Sequence, residues 1–163
     1  MPCSQWLGGG GLKLLKMFGP AAVIPPLRGY TLNRRGRMAS RRILIIDDED
    51  DIREVAALSL EAVAGWEVAT ANSGLQGIEA AAAQRPDAIL LDVMMPEMDG
   101  PTTFKQMQLN PQTAGIPVLL LTAKVQGVDQ RRFASLGVAA VLFKPFDPLT
   151  LSEQIASVLG WQD

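Results

Sequence analysis

From residue 42 onward the chain alternates short apolar runs with stretches of helical spacing, and each run is closed by a polar residue or a turn. Ile43-Leu44-Ile45-Ile46 is apolar throughout, which suits a central strand buried on both faces, and it stops at Asp47-Asp48-Glu49-Asp50-Asp51. A helix follows, with Ile52, Val55, Ala56, Ser59, Leu60 and Val63 on one face, Asp51 and Glu54 placed as a capping box, and Gly65 as its stop. Trp66 to Ala71 is less uniformly apolar and predicts an edge strand. Ser73 is placed to cap a second helix carrying Leu75, Ile78 and Ala82. Asp87 to Leu91 predicts a third strand that ends against Asp92. After the turn at Asp99-Gly100, Pro101 suits a helix first turn, with Phe104, Met107 and Gln108 facing inward. A fourth strand from Ile116 stops at Thr122, and a helix through Phe133 and Leu136 ends at Gly137. A fifth strand, Val138 to Phe143, stops at Lys144-Pro145. A last helix is predicted with Asp147 as cap, Pro148 in its first turn and Leu151, Ile155 and Val158 at helical spacing. Five β-α units in strict alternation predict an α/β fold, a five-stranded doubly wound parallel sheet with helices on both faces. If strand two is the edge and the order reverses beside strand one, the ends of strands one and three meet at a switch point, where such sheets bind ligands.

Composition narrows the setting. The 163 residues suffice for one domain with a sizeable core, and no apolar run approaches the roughly 18 residues that span a membrane. The net charge of −2 conceals an asymmetry: residues 1–42 carry eight basic and no acidic residues, and 43–163 carry seven basic and seventeen acidic. Residues 1–41, with a four-glycine run at Gly8–Gly11, prolines at 20, 25 and 26, and an Arg-rich end, are expected to be a disordered basic extension. An alternative is that they lie upstream of a true start at Met38. Leu12 to Phe18 would form at most a short basic amphipathic turn on a membrane surface. The arginines at 34, 35, 37, 41 and 42 read as a solvated basic tail. The single cysteine, Cys3, excludes an internal disulfide, so the fold needs no oxidising compartment and a cytoplasmic location is expected. Histidine is absent, which excludes a Ser-His-Asp triad, a His-containing metal site and a phosphohistidine on this chain.

Candidate chemistry collects at the strand ends. The four most apolar runs close on Asp47-Asp48, Asp92, Thr122 and Lys144, and the predicted topology brings these to one rim. Two carboxylates about 4 Å apart repel by roughly 4 kcal/mol at an effective dielectric of 20. Three together require a cation, and an all-oxygen donor set selects a hard ion such as Mg²⁺. With that ion present Asp92 stays ionised and is a competent nucleophile towards phosphorus, while Lys144 and Thr122 supply a point charge and a hydrogen bond. There is no glycine-rich nucleotide cradle.

Asp47-Asp48 after an apolar strand, Asp92 within Leu90-Leu91-Asp92-Val93-Met94-Met95-Pro96-Glu97-Met98-Asp99-Gly100, Leu121-Thr122-Ala123 and Lys144-Pro145-Phe146 together resemble the receiver domain of two-component response regulators. The match covers about residues 42–160, and four motifs in order at these spacings are highly specific. The resemblance implies a flavodoxin-like fold with strand order 2-1-3-4-5 and Asp92 as phospho-acceptor. It also implies Mg²⁺ held by Asp47, Asp48, Asp92 and the backbone carbonyl of Met94, with Thr122 and Lys144 engaging the phosphoryl group and a cis Lys144–Pro145 bond. The implied donor is a phosphohistidine on a sensor histidine kinase or histidine phosphotransfer protein. Val141 stands where receivers usually carry Tyr or Phe, and Met94 and Lys124 occupy positions that tune dephosphorylation in the family.

The resemblance implies a regulatory phospho-acceptor, not an enzyme acting on free substrates. Residues after Lys144 suffice for one helix, so the expectation is a stand-alone receiver without a DNA-binding output domain and without stable membrane insertion. Its output would be a contact with a downstream protein or onward phosphoryl transfer. Two alternatives stay open. One is a receiver-like scaffold that is never phosphorylated, suggested by Val141. The other is an aspartyl-phosphate phosphatase of the haloacid dehalogenase type, weakened by Met94 where those enzymes place a second Asp.

Overall fold

The computed structural model describes residues 40–123 and 127–162. The basic segment 1–39 and Lys124, both singled out in the sequence, lie outside the described residues. Five strands, β1 (Arg42–Ile46), β2 (Glu67–Ala71), β3 (Ala88–Asp92), β4 (Val118–Thr122) and β5 (Ala140–Phe143), alternate with five helices. The helices are α1 (Asp50–Ala64), α2 (Gly74–Gln84), α3 (Gly100–Leu109), α4 (Gly127–Ala134) and α5 (Leu151–Leu159). All strand pairs are parallel and the order is β2-β1-β3-β4-β5, with the reversal at β1 as expected.

Period-two alternation along the central strands divides the core into two layers. Leu44, Ile46, Ile89, Leu91, Val118 and Leu120 face α2, α3 and α4, meeting Ala81, Phe104, Met107 and Phe133. Ile43, Ile45, Leu90, Leu119 and Leu121 face α1 and α5, meeting Ala56, Leu60, Leu151 and Ile155. The continuous apolar runs are therefore required: both faces of β1, β3 and β4 are covered. Edge strand β2 is only partly buried, which accounts for its mixed composition.

Helix details depart from the sequence expectations in several places. Glu49, not Asp51, is the N-cap of α1, and it makes no side-chain cap bond; Asp50 and Asp51 lie inside the first turn, where acids favour the helix dipole without capping. Along α1, Val55 and Val63 are exposed because the buried line runs through Ala56, Ser59 and Leu60. On α2, Leu75 is exposed because the buried line is Gly74, Gly77 and Ala81. A Cβ at Gly77 would lie 2.3 Å from Ile46 Cδ1, so α2 approaches β1 too closely for larger residues. Finally, α5 begins at Leu151 behind Thr150, while Asp147 organises the preceding turn by accepting the Leu149 amide at 2.9 Å. Gln108 and, on α5, Val158 are exposed as well. The helix expected to run through Leu136 ends at Ala134, whereas two helix-end expectations hold. Ser73 accepts the Gln76 amide at 3.3 Å, and Gly65 ends α1 at a φ of 66° that side chains avoid.

Candidate functional site

Parallel pairing in this order places the carboxyl ends of β1, β3, β4 and β5 on one rim, and the polar residues that close those strands gather there. Asp92 is the last residue of β3 and is buried, opposite Leu121 in the β4 register. Asp47, immediately after β1, is fully buried; its neighbour Asp48 is exposed. One carboxylate oxygen from each of Asp47, Asp48 and Asp92 lies within 4.8 Å of the other two. Lys144 closes the group from β5: its Nζ lies 2.6 Å from Asp47 Oδ2 and 2.9 Å from Asp92 Oδ1. Glu49 adds a looser contact at 3.6 Å through an exposed side chain.

Thr122 ends β4, buried, with its hydroxyl donating to the Ala123 carbonyl at 2.8 Å. Its own carbonyl accepts the Lys144 amide at 2.8 Å, which ties the ends of β4 and β5 together. The Lys144–Pro145 bond is cis. Met94, two residues beyond Asp92, opens the loop into α3 with its side chain exposed. All five sequence-derived side chains thus reach the same rim. Val141 is half-buried against the layer formed by α2, α3 and α4, and Phe143 is exposed.

Two features of this rim were not anticipated from the residue pattern. Asp99 does more than turn the chain: its Oδ1 accepts the Thr102 amide at 2.8 Å and caps α3. Hydrogen bonding from the Thr102 side chain, with the amide bond adding to it, holds the Asp99 carboxyl below the usual carboxylate range. Gly100 follows because nothing larger fits, since a Cβ there would lie 2.4 Å from the Asp92 carbonyl oxygen and 2.9 Å from Val93 Cα. The start of α3 rests directly on the backbone of Asp92. Arg53, which no sequence motif marks, is the second feature. Its Nη1 donates to the Asp47 carbonyl at 2.6 Å.

Electrostatically the rim is short of positive charge. Three clustered carboxylates face the Lys144 ammonium, which leaves two negative charges uncompensated. Burial pushes the Asp92 carboxyl upward; the Lys144 hydrogen bond opposes this, and Asp47 and Asp48 reinforce it. Burial alone would lower the Lys144 ammonium, but its bonds to Asp47 and Asp92 win and hold it above its ordinary value. The donor set is all oxygen, without Cys or His, and its residual charge matches a divalent ion. Those properties fit Mg²⁺.

Comparison with known proteins agrees with this geometry. Residues 43–156 match the family described as the response regulator receiver domain. The transcriptional regulator RpaA of Synechocystis is 38% identical over 122 residues, covering 75% of this chain and 50% of that protein. The regulatory protein PhoP of Bacillus subtilis is 35% identical over 74% of this chain and 49% of its own length. The chain thus spans about half the length of the curated relatives it matches. Among solved structures, the chemotaxis protein CheY4 of Vibrio cholerae superposes with a TM-score of 0.69 at 32% identity, covering 74% of this chain and 99% of that one. The receiver domain of the sensor histidine kinase PA1611 of Pseudomonas aeruginosa, solved with a magnesium ion in its active-site cleft, gives a TM-score of 0.67 at 27% identity over 75% and 99%. On its sheet order, its acidic rim and these similarities, the chain belongs to the response regulator receiver domain family of two-component systems.

Proposed function

We propose that residues 42–160 act as a phosphorylation-controlled interaction module, with Asp92 as the acceptor of a phosphoryl group from a phosphohistidine donor. The observation that carries this is the contact set of Lys144, whose one ammonium touches both Asp47 and Asp92 while Asp48 completes an acidic cup. Asp47, Asp48, Asp92 and the Met94 carbonyl would hold Mg²⁺. When bound, that ion offsets charge on the phosphoryl oxygens and keeps the carboxylate ionised. A carboxylate oxygen of Asp92 attacks phosphorus, the donor's P–N bond breaks, and the imidazole leaves with the electron pair and takes up a proton. The product is an acyl phosphate. Lys144 is placed to pair with a phosphoryl oxygen, and the Thr122 hydroxyl to exchange its Ala123 partner for another.

The donor would be a sensor histidine kinase or a histidine phosphotransfer protein, met in the cytoplasm. The output would be altered contact with a downstream protein or onward phosphoryl transfer. No described helix is long and apolar enough to cross a membrane.

Incubation of the full chain with Mg²⁺ and acetyl phosphate, followed by intact mass measurement, tests this directly. One phosphoryl group of added mass is expected, abolished by EDTA and by Asp92→Asn. A folded protein that never gains the mass supports a non-phosphorylated scaffold. Sustained turnover of added phosphomonoesters supports a phosphatase.

A further inference from the structure

Arg53 is a largely buried cation beside this rim that the proposed chemistry leaves unused. It lies in the first turns of α1 with its side chain only 14% exposed. One guanidinium nitrogen donates to the Asp47 carbonyl at 2.6 Å, and the other pairs with Asp50. The Asp47 carbonyl sits one residue beyond the last ladder position of β1, Ile46, so neither neighbouring strand is in register to serve it. The other polar atoms of Asp47 are engaged elsewhere. Its amide donates to Ala71, Oδ1 accepts the Glu49 amide at 2.9 Å, and Oδ2 accepts Lys144. Arg53 supplies the remaining anchor, and it does so from the helix that follows the acidic run.

We infer that Arg53 is a positioning residue for the divalent-ion site: by anchoring the Asp47 carbonyl it sets the direction in which the Asp47 carboxylate faces Asp48 and Asp92. This rests on the proposed function, because it concerns the ion that the acidic cup would hold. Two physical effects of Arg53 oppose each other, and the sign of the outcome separates them. As a bare cation it repels an incoming metal ion, so its removal would tighten binding. As an anchor it keeps a ligand aligned, and its removal would loosen binding, since partners behind metal ligands are worth about 10–100-fold in affinity. Asp50 pairs with the same guanidinium and offsets part of its charge, which weakens the repulsion, and the anchoring effect is expected to be the larger.

The test is Mg²⁺ titration calorimetry on the full chain without any phosphoryl donor, comparing wild type with Arg53→Met and Arg53→Lys. Urea denaturation of the same metal-free samples runs in parallel. The expected result is a dissociation constant raised about tenfold or more in Arg53→Met. Arg53→Lys, which keeps the charge and one donor, is expected to fall between the two. Mg²⁺ affinity equal to or tighter than wild type in a folded Arg53→Met protein overturns the inference, whatever happens to its urea midpoint. Should that variant lose its native circular dichroism, Arg53→Gln carries the same comparison. A wild-type chain that takes up no Mg²⁺ overturns the ion site itself and the inference with it.

Discussion

Asp92 is held in a compromise between burial and pairing. Its carboxylate is out of water, which favours the neutral acid, and it is retained beside an ammonium and two further carboxylates. The net upward displacement has a consequence for stability. In the pH window between the ordinary value of 3.8 and the raised one, the folded protein keeps a proton that the unfolded chain has released. Stability therefore falls as pH rises through that window and stays lower above it. Asp92→Asn removes this loss. Urea denaturation in EDTA is expected to show the variant gaining on wild type between pH 3 and pH 7; a constant or shrinking difference would show that Lys144 pairing outweighs burial. Asp92 was legible in the sequence, because a carboxylate that closes a doubly buried strand is costly unless a cation or a reaction makes use of it. Arg53 was not, because its partner is a backbone carbonyl six residues earlier, and no side-chain pattern records that bond. Glu97 was equally hidden: it adopts a φ of 64° in the loop beyond Asp92, a conformation its residue type does not announce.

At the scale of elements, the strands were readable and the helix faces less so. Burial on both sides leaves β1, β3 and β4 no choice but apolar residues, so their limits follow from composition within a residue or two. The helices bury small residues where they approach the sheet closely. Periodicity of large apolar groups therefore pointed to Leu75, Val55 and Val63, which the packing leaves outside. The junction of β3 and α3 shows how much depends on one small residue. Alanine is the better helix former by about 1 kcal/mol, so Gly100→Ala would stabilise an unconstrained helix. Here the added methyl group meets backbone atoms of Asp92 and Val93, which cannot swing aside as a side chain would. Gly100→Ala is expected to lower stability by about 1–3 kcal/mol and to slow labelling of Asp92 by acetyl phosphate. Urea unfolding and a time course of mass gain measure the two effects. A variant more stable than wild type would mean that α3 is free to move away from the site.

Across the whole molecule, the two rims of the sheet do different work. Polar and charged residues crowd the carboxyl rim. The opposite rim is tied by an aromatic contact: Trp161, just after α5, meets Trp66 edge-on at a centroid distance of 5.4 Å. The guanidinium of Arg41 lies 4.6 Å from the Trp161 ring, at the entrance to β1. These contacts join the end of the fold to the starts of β1 and β2. Trp161→Ala is expected to cost about 2 kcal/mol in urea unfolding, from lost burial together with the aromatic and cation–π terms. Because Trp161 is remote from Asp92, the extent of labelling by acetyl phosphate should stay as in wild type; a parallel loss of labelling would show that the rims are coupled. The parallel sheet was legible from the strict β-α alternation, and the edge position of β2 from its mixed composition, while the full strand order came with the family resemblance. This tie was not, because the partners are far apart in the chain and Trp161 follows the last helix without a motif.

The acidic cup, its ion and the acyl phosphate stand or fall together, and the position of the label examines all three at once. After incubation with acetyl phosphate, borohydride reduction converts an aspartyl phosphate to homoserine, which peptide fragmentation locates. Homoserine is predicted at position 92 alone, and only in samples containing Mg²⁺. Homoserine at another aspartate, or at position 92 to the same extent in EDTA, would contradict the assignment of Asp92 as an ion-dependent phosphoryl carrier.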